Sequence, residues 1–238
     1  MYKIKNNQDI RQSLIWQPIV EWSQKKYRYR TFEADEQIPA RPKILYLLHQ
    51  GMVRLMGHYK LSVVSKSEED NNPSDRPEAS FLSFLGKGQP FELLKDSTCE
   101  VNAYAHTDQT SVLWMYWHEL DNWPNFRQEI LKAFRYQQQR KMLEIATLSQ
   151  RRTIDRLYGF LTLLIQEHGI AYIKESQSHQ GHGCYLPWTM TDAEIASAIA
   201  SSRFTVTRLM GELREQGLID IYRNNYICLP PQNHSFHH

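Results

Sequence analysis

The stretch Ser201 to Asp220, "SSRFTVTRLMGELREQGLID", gathers Arg203, Thr205, Thr207 and Arg208 into the first two turns of one expected helix. A guanidinium is a rigid fork of donors that fits phosphate oxygens or the O6 and N7 atoms of guanine. Hydroxyls add hydrogen bonds to phosphate that fix register. Cations at a helix N-terminus are disfavoured when the helix stands alone, because its dipole repels them. A polyanion docked against that end reverses the balance, since the free N–H groups and the dipole attract phosphate. These residue types therefore point to binding of a nucleic acid. Nothing comparable points to catalysis: the chain has no phosphate-binding glycine loop, no Ser/His/Asp order and no paired-carboxylate pattern, so no enzyme is expected.

The elements that must position these groups are legible on both sides. Val206, Leu209, Met210 and Leu213 are spaced to bury one face of the helix. Upstream, Thr191 followed by Glu194 is a capping box that starts a helix at about Asp192, with Ile195, Ala198 and Ile199 as its buried face. Ala200 and Ser201 make a tight turn, and Ser202 caps the second helix. Downstream, "LIDIYRNNYICL" has two short β runs around Arg223, Asn224 and Asn225, a hairpin pattern. Helix, turn, helix and hairpin form a winged helix-turn-helix. Thr191, Ser202 and Thr205 are placed for phosphate; Arg203, Phe204, Thr207, Arg208, Tyr222 and Arg223 complete the expected DNA-binding set.

The rest of the chain divides by texture. From about Lys43 to Trp117 it reads as short β segments, which suggests a sandwich or small barrel. "ILYLLHQGMVRLM" reads as two apolar runs forming a hairpin around Gly51, and Lys66–Glu78 as a mobile, charged hairpin loop. From Asn125 to His168 the residues are strong helix formers. Leu131, Phe134, Gln138, Lys141, Ile145 and Leu148 repeat at 3-4-3-4-3 spacing, a seam for pairing two helices. The competing reading of that seam is one face of a helix packed on its own β domain. A helix restarts at "QRRTIDR", with Leu157, Phe160, Leu161 and Leu164 as its apolar stripe. Lys174–Trp188 reads as a polar, glycine-bearing connection. The expected division is 1–123, 124–150 and 151–238.

"TDAEIASAIASSRFTVTRLMGELREQGLI" resembles the DNA-binding domain of the Crp/Fnr family of bacterial transcription regulators, and "SRFTVTRLMGELREQGLI" looks closest to its cyanobacterial nitrogen-control branch. "LYLLHQGMVRL" is similar to a hairpin of the family's β-roll. The resemblance implies an α+β fold: an N-terminal β-roll of the cyclic-nucleotide-binding type, a long dimerisation helix and a C-terminal winged helix-turn-helix. It implies a homodimer on palindromic double-stranded DNA, with RNA polymerase or a regulatory protein as a further partner. The alternative is a sensing or interaction module whose winged helix binds a protein. In the family, Arg203 and Arg208 sit at base-reading positions, and Phe204 stands where the catabolite activator branch has a glutamate. Losing that carboxylate removes an acceptor for cytosine N4, so the half-site should differ.

The effector site departs from the family pattern. Phe91, Glu92 and Leu93 match the Gly-Glu-Leu of the cyclic AMP cassette, but its Arg-Ser pair is missing, with Thr98, Cys99 and Glu100 nearby. The arginines by which the nitrogen-control branch holds 2-oxoglutarate fall on Cys99 or Glu100 and on Gln137. An anion beside Glu92 and Glu100 without an arginine is unfavourable, so control by either ligand is not expected.

No cofactor or metal is expected either. His179, His182 and Cys184 match no standard zinc spacing, and the tail "HSFHH" reads as a frayed end. Three scattered cysteines (Cys99, Cys184, Cys228) fit neither a disulfide framework nor an N-terminal iron–sulfur cluster. With a mean hydropathy of -0.58, no long apolar run and no apolar signal region after Met1, the expected setting is the cytoplasm, away from membranes.

Overall fold

The computed structural model of the chain describes residues 17–59, 79–93, 99–175, 180–222 and 226–229. The expected loop Lys66–Glu78, the tail, His179 and Arg223 lie outside them. The described chain forms two compact units, one running to Gln138 and one from Gln139.

The first unit contains helix α1 (Gln17–Lys25) and strands β1 (Tyr29–Phe32), β2 (Gln37–Ile38), β3 (Ile44–Gln50), β4 (Val53–Tyr59), β5 (Ser80–Leu85), β6 (Pro90–Phe91), β7 (Cys99–Ala105) and β8 (Thr110–Tyr116). A 3-10 turn (Trp117–Asn122) and helix α2 (Pro124–Leu148) follow, and α2 continues into the second unit. The strands make two antiparallel sheets, ordered β1-β8-β3-β6 and β2-β7-β4-β5. The apolar runs around Gly51 are both strands, but they are not a hairpin. β3 pairs with β8 and β6, whereas β4 pairs with β7 and β5, so Gly51 carries the chain from one sheet to the other. Its φ of +83° suits glycine, and a Cβ there would meet Thr110 Cα at 2.8 Å.

The sheet of β3 and β8 is buried on both faces, which explains why "ILYLL" is apolar without alternation. Ile44, Tyr46, Leu48, Phe91 and Val112 belong to one core cluster with Val53 and Ala103 of the opposite sheet. Leu45, Leu47, Leu113 and Met115 belong to another with Ile19 and Val20 of α1 and Phe126, Ile130 and Ala133 of α2. Each such aliphatic side chain contributes about 1.5–3 kcal/mol on burial. The expected strands start near Lys43, whereas α1, β1 and β2 all precede that point. Arg28, between α1 and β1, ties this region together: its guanidinium lies over the Trp22 and Tyr116 rings and ion-pairs with Glu119.

The second unit holds the C-terminal half of α2, then α3 (Thr153–His168), β9 (Ile170–Glu175), β10 (Gln180–Tyr185), α4 (Asp192–Ala198), α5 (Arg203–Glu215), β11 (Asp220–Tyr222) and β12 (Tyr226–Leu229). The expected stripe of α3 is buried at Leu157, Phe160, Leu161 and Leu164, joined by Ile165. The two helices cross closely: a Cβ on Gly159 would fall 2.5 Å from Thr147 Cγ2. Arg140 of α2 donates to the Leu163 carbonyl at 2.7 Å, and its Nε lies 3.2 Å from Glu167 Oε2.

Most of the described part of the expected polar connection Lys174–Trp188 is strand. β9 and β10 pair along their length, and β10 also pairs with β12, giving an antiparallel sheet ordered β11-β12-β10-β9. "QGHGCY" lacks strand-like side chains, but as an inner strand it is held by backbone hydrogen bonds on both edges.

Candidate nucleic-acid interface

α4 begins as the sequence predicts. The Thr191 hydroxyl accepts from the Glu194 N–H at 3.2 Å, and the Glu194 carboxylate accepts from the Thr191 N–H at 2.8 Å. The same hydroxyl donates to Glu194 Oε2 at 2.9 Å. Its proton is thereby held inside the chain, and Thr191 acts as the cap of α4.

The turn is made by a non-glycine residue in the left-handed region: Ala200 has φ +50°, and Ser201 N–H donates to the Ala196 carbonyl at 2.9 Å. Ser202 then caps α5, accepting from the Thr205 N–H at 3.1 Å, with the two hydroxyls 2.8 Å apart. Val206, Leu209 and Leu213 are buried, Met210 half-buried, and Ile195, Ala196 and Ala198 are the buried residues of α4. α5 packs on both α4 and α3, so its outward face is fixed by the core beneath it.

That outward face carries the expected reading residues. Phe204 and Arg208 lie one turn apart, and Gly211 follows on the same side with nothing within 4 Å of an added Cβ. Arg208 ion-pairs with Glu212, and the Thr207 hydroxyl bonds to Asp192 Oδ2. Arg203 is exposed, and its guanidinium has no partner among the described residues; Phe204 is 80% exposed. β11 ends at Tyr222, opposite Tyr226, which places the wing directly after α5.

Residues 155–232 match the Crp-like helix-turn-helix domain family. This C-terminal segment is similar to a Crp-like helix-turn-helix domain. Over 87 residues it is 36% identical to the global nitrogen regulator of Synechococcus elongatus, covering 37% of this chain and 36% of that protein. The match thus spans about a third of the curated relative's length. A CRP-family transcriptional regulator from Thermus thermophilus has the same fold across 85% of this chain and 92% of its own, with TM-score 0.56 and 21% identity. A cyclic nucleotide-binding domain containing protein from Listeria monocytogenes aligns over 89% of this chain and 95% of its own, with TM-score 0.66 and 13% identity. The Crp/Fnr resemblance and the expected architecture of β-roll, long helix and winged helix-turn-helix are met.

The other expected site residues are dispersed differently. Phe91 and Leu93 are core residues, and Phe91 stacks on Tyr46 with ring centroids 5.1 Å apart. Glu92 is exposed and accepts from Trp117 Nε1. Gln137 donates to the Pro90 carbonyl at 3.0 Å, which ties α2 to β6. Two of the expected effector residues thus pack in the core, one faces outward and one braces α2 on β6. Cys99 and Glu100 start β7.

The helical seam also splits. Leu131, Gln138, Ile145 and Leu148 are exposed, but Phe134 is half-buried against its own unit, its ring 6.0 Å from that of Trp117. Lys141 is half-buried and ion-pairs with Glu144. Met142, outside the expected seam, is 59% exposed beside Ile145 at 58% and on the same side as Leu131 and Gln138. A helical-wheel count from Leu131 rather than a strict heptad finds it.

Proposed function

We propose that the chain is a sequence-specific, double-stranded-DNA-binding transcription regulator acting as a homodimer in the cytoplasm, with no catalytic reaction of its own. The observation that carries this reading is the capped α4–Ala200–α5 unit, which presents Arg203, its guanidinium without a partner among the described residues, beside an exposed Phe204 at the N-terminal end of α5. A recognition helix enters the major groove by that end, where base edges are distinguishable. Arg203 is assigned to a guanine. Thr191, Ser202, Thr205 and Thr207 flank it for phosphate contact once their hydroxyls turn from partners within the chain, and Arg208 joins them once Glu212 releases it. Tyr222 and Arg223 are assigned to the same DNA-contacting set from the sequence alone.

Under this reading residues 1–123 form the β-roll, 124–150 the pairing helix and 151–238 the DNA-binding domain. The exposed stripe Leu131, Gln138, Met142 and Ile145 pairs with its copy, so two reading heads meet half-sites about one helical turn apart. DNA binding requires neither cyclic AMP nor 2-oxoglutarate. Supporting this, Glu92 is engaged by Trp117, and Phe91 and Leu93 are packed in the core. The test is a mobility-shift titration at constant salt, because salt alone moves such affinities strongly. Specific binding that survives excess nonspecific DNA supports the reading; binding to a protein partner with no duplex preference refutes it. A tenfold gain, about 1.4 kcal/mol of coupling, from either small molecule would refute the effector-independent part.

A further inference from the structure

Resting on the DNA-binding reading, we infer that Phe204 makes this protein a reader of a pyrimidine C5-methyl group in the same half-site as the guanine taken by Arg203. Three of the polar side chains in the first turns of α5 are engaged within the chain: Thr205 on Ser202, Thr207 on Asp192, and Arg208 on Glu212. Arg203 and Phe204 are left facing outward. The phenyl ring is 80% exposed, with no aromatic or cation partner among the described residues. On the base edges of the major groove, the apolar group that distinguishes one pair from another is the C5-methyl of thymine. A phenyl ring has no hydrogen bond to offer there, so its discrimination is confined to that methyl. 5-Methylcytosine carries the same group in the same groove. Arg203 and Phe204 both lie in the first turn of α5, the end that enters the groove, so the methyl falls in the same half-site as the guanine of Arg203.

The experiment uses the full chain and a duplex chosen by selection from a random pool. Each thymine of one half-site is replaced singly by deoxyuracil, which removes the methyl and nothing else. The wild type should lose roughly fourfold in affinity at one thymine, the worth of one buried methyl group. Phe204→Ala should bind the thymine and uracil duplexes equally, while Arg203→Ala should keep the difference between them. With that pair changed to cytosine–guanine, 5-methylation of the cytosine should tighten binding by the wild type and not by Phe204→Ala. No sensitive thymine in the wild type, or the same sensitivity in Phe204→Ala, overturns the inference and leaves DNA binding standing. A wild type that selects no sequence at all removes the DNA-binding reading instead.

Discussion

Arg156, in the first turn of α3, donates from Nε to the carbonyl oxygen of Ile199 at 3.2 Å. Ile199 is the C-cap of α4, the residue at which the helix-turn-helix turns. The same guanidinium reaches the Gln150 carbonyl at 3.1 Å and Thr153 Oγ1 at 3.2 Å, so one planar fork joins the link between α2 and α3 to the reading head. Arg156→Ala should lower the unfolding free energy by about 1.5–3 kcal/mol, the range for hydrogen bonds from a charged group. Arg156→Lys should recover only part of this, since a point charge cannot serve divergent carbonyls. Urea unfolding of the variants checks it; unchanged midpoints would show that the fork contributes nothing.

The crossing of α2 and α3 depends on a second arginine. Arg140 and Glu167 are nearly buried, at 15% and 8% side-chain exposure, and Arg140 Nε faces the carboxylate without the alignment of a hydrogen bond. The interaction is therefore mainly Coulombic. Arg140→Met should cost about 3–5 kcal/mol by taking the guanidinium away from the nearly buried Glu167 carboxylate. The double variant Arg140→Met with Glu167→Leu should recover most of it, as thermal unfolding of the three proteins would reveal.

Gly211 predicts an effect of opposite sign. It sits inside α5 on the outward face, where an added Cβ meets nothing. Gly211→Ala should raise stability by about 0.5–1 kcal/mol through helix propensity alone. A rise in stability with weaker DNA binding would indicate that the duplex comes close to this position.

Pairing through α2 predicts that Ile145→Asp or Met142→Asp yields a monomer in sedimentation at micromolar concentration while the thermal transition of the second unit stays in place. Both side chains are exposed within one chain, so neither change disturbs its own core. Dimers of unchanged stability would move the interface elsewhere.

The legible parts of the molecule were those specified by local chemistry. Thr191, Glu194 and Ser202 announce helix starts through hydrogen bonds made within three residues, and the structure has those bonds. Val206, Leu209 and Leu213 announce a buried face by spacing alone. What stayed hidden depends on partners far along the chain. "QGHGCY" becomes a strand because β9 and β12 flank it, which no property of its side chains reveals. Gly51 looks like a hairpin turn, yet it switches sheets because β8 lies beside β3. Phe134 fits a heptad, but Trp117 covers it; Glu92 fits a ligand cassette, but Trp117 takes its carboxylate. One tryptophan thus redirects two assignments that spacing alone supports.

The central claim is that α5 reads DNA sequence through Arg203. Its most direct test is selection of bound duplexes from a random pool by the wild type and by Arg203→Ala. The wild type should enrich a two-fold-related site. Arg203→Ala should bind it about 1–3 kcal/mol more weakly and lose preference at one base pair in each half-site. Enrichment of no sequence by the wild type, or the same preferences in the variant, would contradict the claim.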